Sequence, residues 1–195
     1  LCTAASIIFV PTLFIAAQPD LGTAIMVATG GIFIIFVAGI SLRAIALMMS
    51  AAALAAPVLW HFLHAYQKQR VLTLLDPERD PLGTGYHIIQ SKIAIGSGGA
   101  LGKGWLSGSQ SHLNFLPEHA TDFIFSVGSE EFGFIGSAIL IILFLFISRR
   151  SLHIAKSAQT NYTKFLASGL SMSFFLSTFV NIGMVMGILP VVGVP

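Results

Sequence analysis

Charged side chains are scarce in this sequence. Asp, Glu, Lys and Arg make up 9% of the 195 residues, against 55% hydrophobic. A soluble globular domain is about 25% charged, so a soluble domain is the wrong frame and an integral membrane protein is the right one. The formal net charge is +2, too small an excess to point to nucleic acid. Cysteine is nearly missing as well, and the lone Cys2 excludes an internal disulfide. His61, His64, His87, His112 and His119 are scattered. None completes a helical pair of the H-E-x-x-H kind, so no structural zinc site is expected. No Ser-His-Asp order and no Cys-His pair stands out. The opening residues carry no charged stretch and no small-residue cleavage site, so they do not read as a signal peptide. The chain starts at Leu1 and ends on Val194-Pro195 just after an apolar run, and it reads as part of a longer polytopic protein.

What the sequence does have is apolar runs of membrane length. About 20 mostly apolar residues cross a bilayer. Spans are expected over 1–17, which is clipped, and over 21–40, 44–63, 122–147 and 165–189. The fold class is therefore all-α, a polytopic membrane helix bundle, with 1–195 as one transmembrane domain. Gln18-Pro19-Asp20 is a tight turn, and Asp20 suits the start of the second span, where a carboxylate favours the helix dipole. Gly22, Gly30, Gly31 and Gly39 permit close helix contact. Trp60 and Tyr66 mark an interface at the far end of the third span. Arg149-Arg150 is expected to stop the fourth span, with 151–164 a polar connector.

Orientation follows from the short connections. Arg43 lies in one, and Arg149, Arg150, Lys156 and Lys164 lie in another, with no acid in either. The positive-inside rule puts both in the cytoplasm and the loop over 64–121 outside.

That loop holds the polar chemistry. Every acidic residue except Asp20 falls between Tyr66 and Glu131. Leu75-Asp76-Pro77-Glu78-Arg79-Asp80-Pro81-Leu82-Gly83 is turn chemistry. Tyr86, Ile89 and Ile93, with Gln90 and Lys92 opposite, predict a short amphipathic surface helix ended by Gly96-Ser97-Gly98-Gly99.

Taken alone, Asp122 is most simply a residue at a helix start, its charge on the dipole. Glu118 precedes it by four, so one helix covering both would place them on one face as acid/base partners or metal ligands; a bend at Pro117 would instead pair Glu118 with a loop Lys or Arg. Glu130 and Glu131 lie two turns or more along the same span. A mid-membrane carboxylate costs roughly 2.5–3.5 kcal/mol on insertion scales, so at least one should face protein or a cavity. A pathway role and a structural pairing with a basic or amide side chain are both open.

Several motifs in order resemble the SEDS family of bacterial elongation, division and sporulation. They are Gln18-Pro19-Asp20-Leu21-Gly22-Thr23-Ala24, the run from Gly85 to Gly99, Leu116-Pro117-Glu118, Thr121-Asp122-Phe123-Ile124-Phe125, and Asn181-Ile182-Gly183-Met184 with the run from Gly187 to Pro195. Gly102-Lys103-Gly104-Trp105 and the run 110–115 look most like the elongation branch. The resemblance covers essentially the whole chain. It implies ten transmembrane helices, this chain holding the fifth to the approach of the tenth. It implies a peptidoglycan glycosyltransferase that polymerises lipid II into glycan strands beside a class B penicillin-binding protein, in the inner membrane. The family's essential loop-end Asp falls on Asp122. The family usually has His directly before Thr-Asp-Phe, where this chain has Ala120, with His119 one place earlier.

That chemistry needs an acceptor hydroxyl to attack the anomeric carbon of a polyprenyl-diphosphate-linked glycan. Asp122 is then the expected general base. Arg70, Lys92 and Lys103 are candidates for the diphosphate, against snorkelling toward lipid headgroups, and Glu118 is a further candidate at the substrate. A divalent cation, Mg or Mn, bridging diphosphate and carboxylates is compatible with this chemistry. Two rival readings share the architecture. A lipid II translocase would depend on Asp20, Glu130 and Glu131, and a scaffold for the penicillin-binding protein would depend on an apolar helix face.

Overall fold

All regular structure among the described residues is helical. The computed structural model describes residues 2–18, 20–62, 65–76, 84–108 and 121–190. Seven helices follow in order: α1 (Cys2–Ala17), α2 (Leu21–Val37), α3 (Leu42–Phe62), α4 (Ala65–Leu75), α5 (Thr84–Ser97), α6 (Ile124–Lys156) and α7 (Asn161–Val185). α6 and α7 are long and apolar enough to cross a membrane, and α1 and α2 contain shorter apolar helices. Large side chains point outward along α6, with Phe134 73%, Ile142 64% and Phe146 65% exposed. Such a surface is stable where lipid replaces water, because the helix satisfies its own backbone.

The helix ends explain where the expected spans shift. Asp20 caps α2, its Oδ1 accepting from Thr23 N at 3.1 Å. α2 stops at Val37, short of the expected Ile40, in a turn that contains Gly39 at φ 105°. α6 runs on through Arg149-Arg150 to Lys156, past the expected end at Ile147. Charge ends the apolar run but not the helix, since Arg is a good helix former and His153 and Lys156 lie in the last turn, where basic groups favour the dipole. α7 begins at Asn161, four residues before the expected Phe165, because Thr160 caps it: Thr163 N donates to Thr160 Oγ1 at 3.2 Å. The connector expected over 151–164 therefore shrinks to 157–160.

The expected loop also contains more helix than its polarity suggested. α4 covers Ala-Tyr-Gln-Lys-Gln-Arg-Val-Leu-Thr-Leu-Leu, a run without Gly or Pro and rich in helix formers. α5 appears where expected and ends at Ser97, but its buried stripe is Ile88, Ser91 and Ala94. The expected apolar face of Tyr86, Ile89 and Ile93 is the less buried one, with Ile93 exposed. Ser91 can be buried because its Oγ donates to Val185 O at 2.7 Å.

The chain forms two compact units, each built from two separate stretches: Leu1–Lys68 with Ser148–Leu176, and Gln69–Ile147 with Ser177–Pro195. In the first, Ile8 of α1 lies over Gly31 of α2, and Ile34 of α2 lies over Gly169 of α7. These are the close approaches that small residues allow between membrane helices. In the second, Ala94 of α5, Phe123 and Phe125 beside and within α6, and Met184 and Val185 of α7 form a buried cluster, with Ile95, Ile141 and Ile182 packed on it.

The glycines of α2 give a paired prediction. A Cβ at Gly31 would stand 2.6–2.8 Å from three Ile8 side-chain carbons, whereas one at Gly30 meets nothing within 4 Å. Gly31→Ala should destabilise by about 1–3 kcal/mol through overpacking, and Gly30→Ala should stabilise by up to about 1 kcal/mol. Thermal midpoints of the two variants in nanodiscs check the opposite signs.

Candidate active site

α6 is broken near its start. Gly133 has φ 68° and ψ −162°, a region that is essentially glycine-only. The kink interrupts two consecutive helical hydrogen bonds, those that Phe134 N and Ile135 N would make to Glu130 O and Glu131 O. The segment after α5 takes over all four groups. Lys103 N donates to Glu130 O and Gly104 N to Glu131 O, both at 3.0 Å. Phe134 N donates to Gly99 O at 2.8 Å and Ile135 N to Ala100 O at 3.2 Å. The loop is thus spliced into the helix, leaving none of these four groups unpaired.

Glycine makes the splice possible. A Cβ at Gly98 would collide with Ser129 O, one at Gly102 with Glu131 O, and one at Gly133 with Gly102 N. Gly102 also has φ 81°. Side chains then reinforce the junction. Lys103 Nζ meets Glu130 Oε1 at 2.6 Å, with the Glu130 side chain 0% and the Lys103 side chain 33% exposed. Ser97 Oγ lies 3.4 Å from the same oxygen. Ser137 Oγ donates to Ser129 Oγ at 2.8 Å, across the kink.

Nine residues upstream of Glu131, Asp122 sits in the turn 121–123 that leads into α6. It is 7% exposed. Its neighbours Phe123 and Phe125 enter the buried cluster, which fixes the turn from below. Asn181 of α7 fixes it from the side, Nδ2 donating to the Asp122 carbonyl at 3.1 Å. His87 of α5 lies against Phe123, ring centroids 6.1 Å apart, and its buried Nδ1 has no hydrogen-bond partner among the described residues.

The other sequence candidates fall in different places. Lys103 is brought to Glu130, so its ammonium has a buried carboxylate as partner. Lys92 lies over Gly187, where a Cβ would stand 2.7 Å from Nζ. Glu131 is 6% exposed next to Glu130, so both mid-helix carboxylates face protein. Asp20 is a helix cap. The Arg70 side chain and all of Glu118, Pro117, His119 and Ala120 lie outside the described residues. The sequence places Asn181 in a resembling motif but assigns neither it nor Gly133 a part in the site. The signal for Gly133 was a glycine directly after Glu-Glu-Phe in a run otherwise set for helix.

The comparisons with known proteins bear on this arrangement. The family model of the FtsW/RodA/SpoVE cell cycle proteins matches residues 1–195. The chain belongs to the FtsW/RodA/SpoVE family. Within it, the chain is 59% identical over 190 residues to the peptidoglycan glycosyltransferase MrdB of Escherichia coli K12, covering 97% of this chain and 51% of that protein. It is 50% identical over 133 residues to RodA of Treponema pallidum, also named a peptidoglycan glycosyltransferase, covering 68% of this chain and 31% of that one. It also resembles a chain in the solved structure of a peptidoglycan synthase complex that coordinates polymerization and crosslinking. There the TM-score is 0.80 and the identity 31%, over 98% of this chain and 52% of the other. The chain spans about half the length of the curated MrdB relative from E. coli. As a family member with two apolar helices of membrane length, it is an integral membrane protein.

The splice yields a prediction for this fold. Gly102→Ala adds a side chain at φ 81° against the Glu131 backbone. Left-handed strain of about 1–2 kcal/mol then adds to overpacking of about 1–3 kcal/mol. The variant should unfold several degrees below wild type in nanodiscs, and the amides of Lys103 and Gly104 should lose hydrogen-exchange protection.

Proposed function

We propose that this chain carries the catalytic half of a peptidoglycan glycosyltransferase, one that polymerises lipid II into glycan strands during cell-wall elongation. The observation that carries the reading is Asp122. It is a buried carboxylate residue at the mouth of α6, held by Asn181, in a chain 59% identical to a peptidoglycan glycosyltransferase. The protein is placed in the bacterial inner membrane with the 64–121 segment on the extracytoplasmic side, where lipid-linked glycan is polymerised.

The reaction is an inverting transfer. A hydroxyl of the lipid II sugar attacks the anomeric carbon of the growing glycan. The bond from that carbon to the polyprenyl diphosphate breaks, and the diphosphate leaves. Asp122 takes the hydroxyl proton as the new bond forms, a contribution of about 10²–10⁴-fold for a positioned general base. Burial of Asp122 limits the water that competes with the sugar hydroxyl for the carboxylate. Arg70 and Lys92 are proposed to hold the leaving diphosphate, Arg70 through its bidentate fork, with Glu118 at the acceptor. Lys103 is assigned a different part, since Glu130 engages its ammonium.

Among the described residues no three His, Cys, Asp or Glu side chains group to hold a metal ion. The steps above are assigned to the chain's own groups. The partner proposed is a class B penicillin-binding protein, by analogy with the synthase complex whose chain this one resembles. A translocase reading would depend on Asp20, Glu130 and Glu131; the cap that Asp20 makes on α2 and the Lys103 pairing of Glu130 weigh against it.

Lipid II polymerisation by the purified full-length protein tests the assignment. Asp122→Asn should fold, keep its thermal midpoint within a few degrees, and lose glycan synthesis by at least about 10²-fold. Normal polymerisation by this variant would remove Asp122 as the base.

A further inference from the structure

The splice joins the loop after α5 to the helix that begins at the proposed base, and its side-chain contact is not spread evenly. The four backbone hydrogen bonds hold the loop to either arm of the broken helix. The ion pair of Lys103 with the buried Glu130 ties the loop to the upstream arm. That arm, 124–132, starts directly after the turn holding Asp122. At 1.5 Å per residue it places Asp122 roughly 12 Å from Glu130. A rigid helical arm of that length carries a tilt at its lower end to its upper end.

The ion pair has the properties of a latch. Glu130 is fully buried, so its charge needs its partner; Lys103 is one-third exposed, so it can leave and enter from solvent. Removing Lys103 takes a charge partner from a fully buried carboxylate, which weakens the hold on the loop. Ser97 Oγ, at the C-terminus of α5, shares Glu130 Oε1. α5 is thereby tied to the same carboxylate at its lower end and to Val185 O through Ser91 at its middle. Loop, α5 and the Asp122 arm converge on one oxygen.

We propose that the Lys103–Glu130 pair latches the 98–104 loop into the break in α6 and thereby sets the position of Asp122. Lys103 and Glu130 are positioning residues for the transfer, acting through the arm and not on the diphosphate. The inference rests on the glycosyltransferase reading above.

The experiment uses the full-length protein in a cysteine-free background with Ala100→Cys and Ile135→Cys. These two exposed positions lie on opposite sides of the splice, joined by the Ile135 N to Ala100 O hydrogen bond of 3.2 Å. Oxidation then fastens the loop without the ion pair. Lys103→Met should slow disulfide formation between these positions. It should also lower kcat for lipid II by roughly ten- to a hundredfold, the scale of a small misplacement of a reacting group, with KM within about twofold. Oxidation should restore most of the lost kcat. The double variant Lys103→Met/Glu130→Gln, which leaves no buried unpaired charge, should keep the wild-type thermal midpoint and show the same rescue. Lower kcat without rescue would overturn the latch and return Lys103 to the substrate. Unchanged kcat and crosslinking rate in Lys103→Met would overturn it as well. If Asp122→Asn proves active while Lys103→Met still slows crosslinking, the latch stands and the choice of base is what fails.

Discussion

A helix that breaks inside a membrane protein must find new partners for the groups it frees, and this constraint organises the second unit. The break at Gly133 frees the carbonyls of Glu130 and Glu131 and the amides of Phe134 and Ile135. Water meets such needs in a soluble protein; here the loop 98–104 meets them. Everything near the proposed base follows from that substitution. Gly98 and Gly102 must be glycine because backbone lies where a Cβ would be. α5 must stop at Ser97 to deliver the loop. The arm carrying Asp122 must lie where the loop can reach it. A carboxylate can then sit fully buried at Glu130, since the loop that closes the backbone also brings Lys103.

The site is therefore made of pieces distant in sequence and fixed from three directions. The apolar cluster of Phe123, Phe125, Met184 and Val185 holds the turn by packing. Asn181 holds its backbone by a hydrogen bond. The spliced loop holds the arm below it. Packing supplies most of the stability and the polar contacts supply the position, a division suited to a group that must meet its target within a fraction of an ångström.

Much of this was legible in the residues. Low charge and long apolar runs gave the class, and the turn at Gln18-Pro19-Asp20 gave a cap that is present, Asp20 on Thr23 N. α5 and its glycine end were readable because a 3.6-residue period stops at a Gly-Ser-Gly-Gly cluster. Helix ends at α6 and α7 were misplaced because hydropathy marks where lipid stops, while capping by Thr160 and the dipole mark where helix stops. α4 was missed for the same reason, its polarity hiding good helix propensity. Two features needed the fold. Gly133 is one of several glycines in α6, and nothing local marks it as the one where the backbone breaks; the pairing of Lys103 with Glu130 joins residues 27 apart. The sequence could show that Glu130 needed a partner, but not which of several cations it had.

The contacts that hold the Asp122 turn come late in the chain. Asn181 lies 59 residues after Asp122, and Val185 lies 94 after Ser91. As the chain is made from its N-terminus, α5, the loop and α6 are all made before the part of α7 that braces them exists. The splice can close early, because its two sides flank one loop; the turn cannot. Long-range contacts form only after the intervening loop closure has been made. The proposed base thus becomes positioned only when α7 is in place. A nascent or truncated chain holds the Asp122 charge without the contacts that position it.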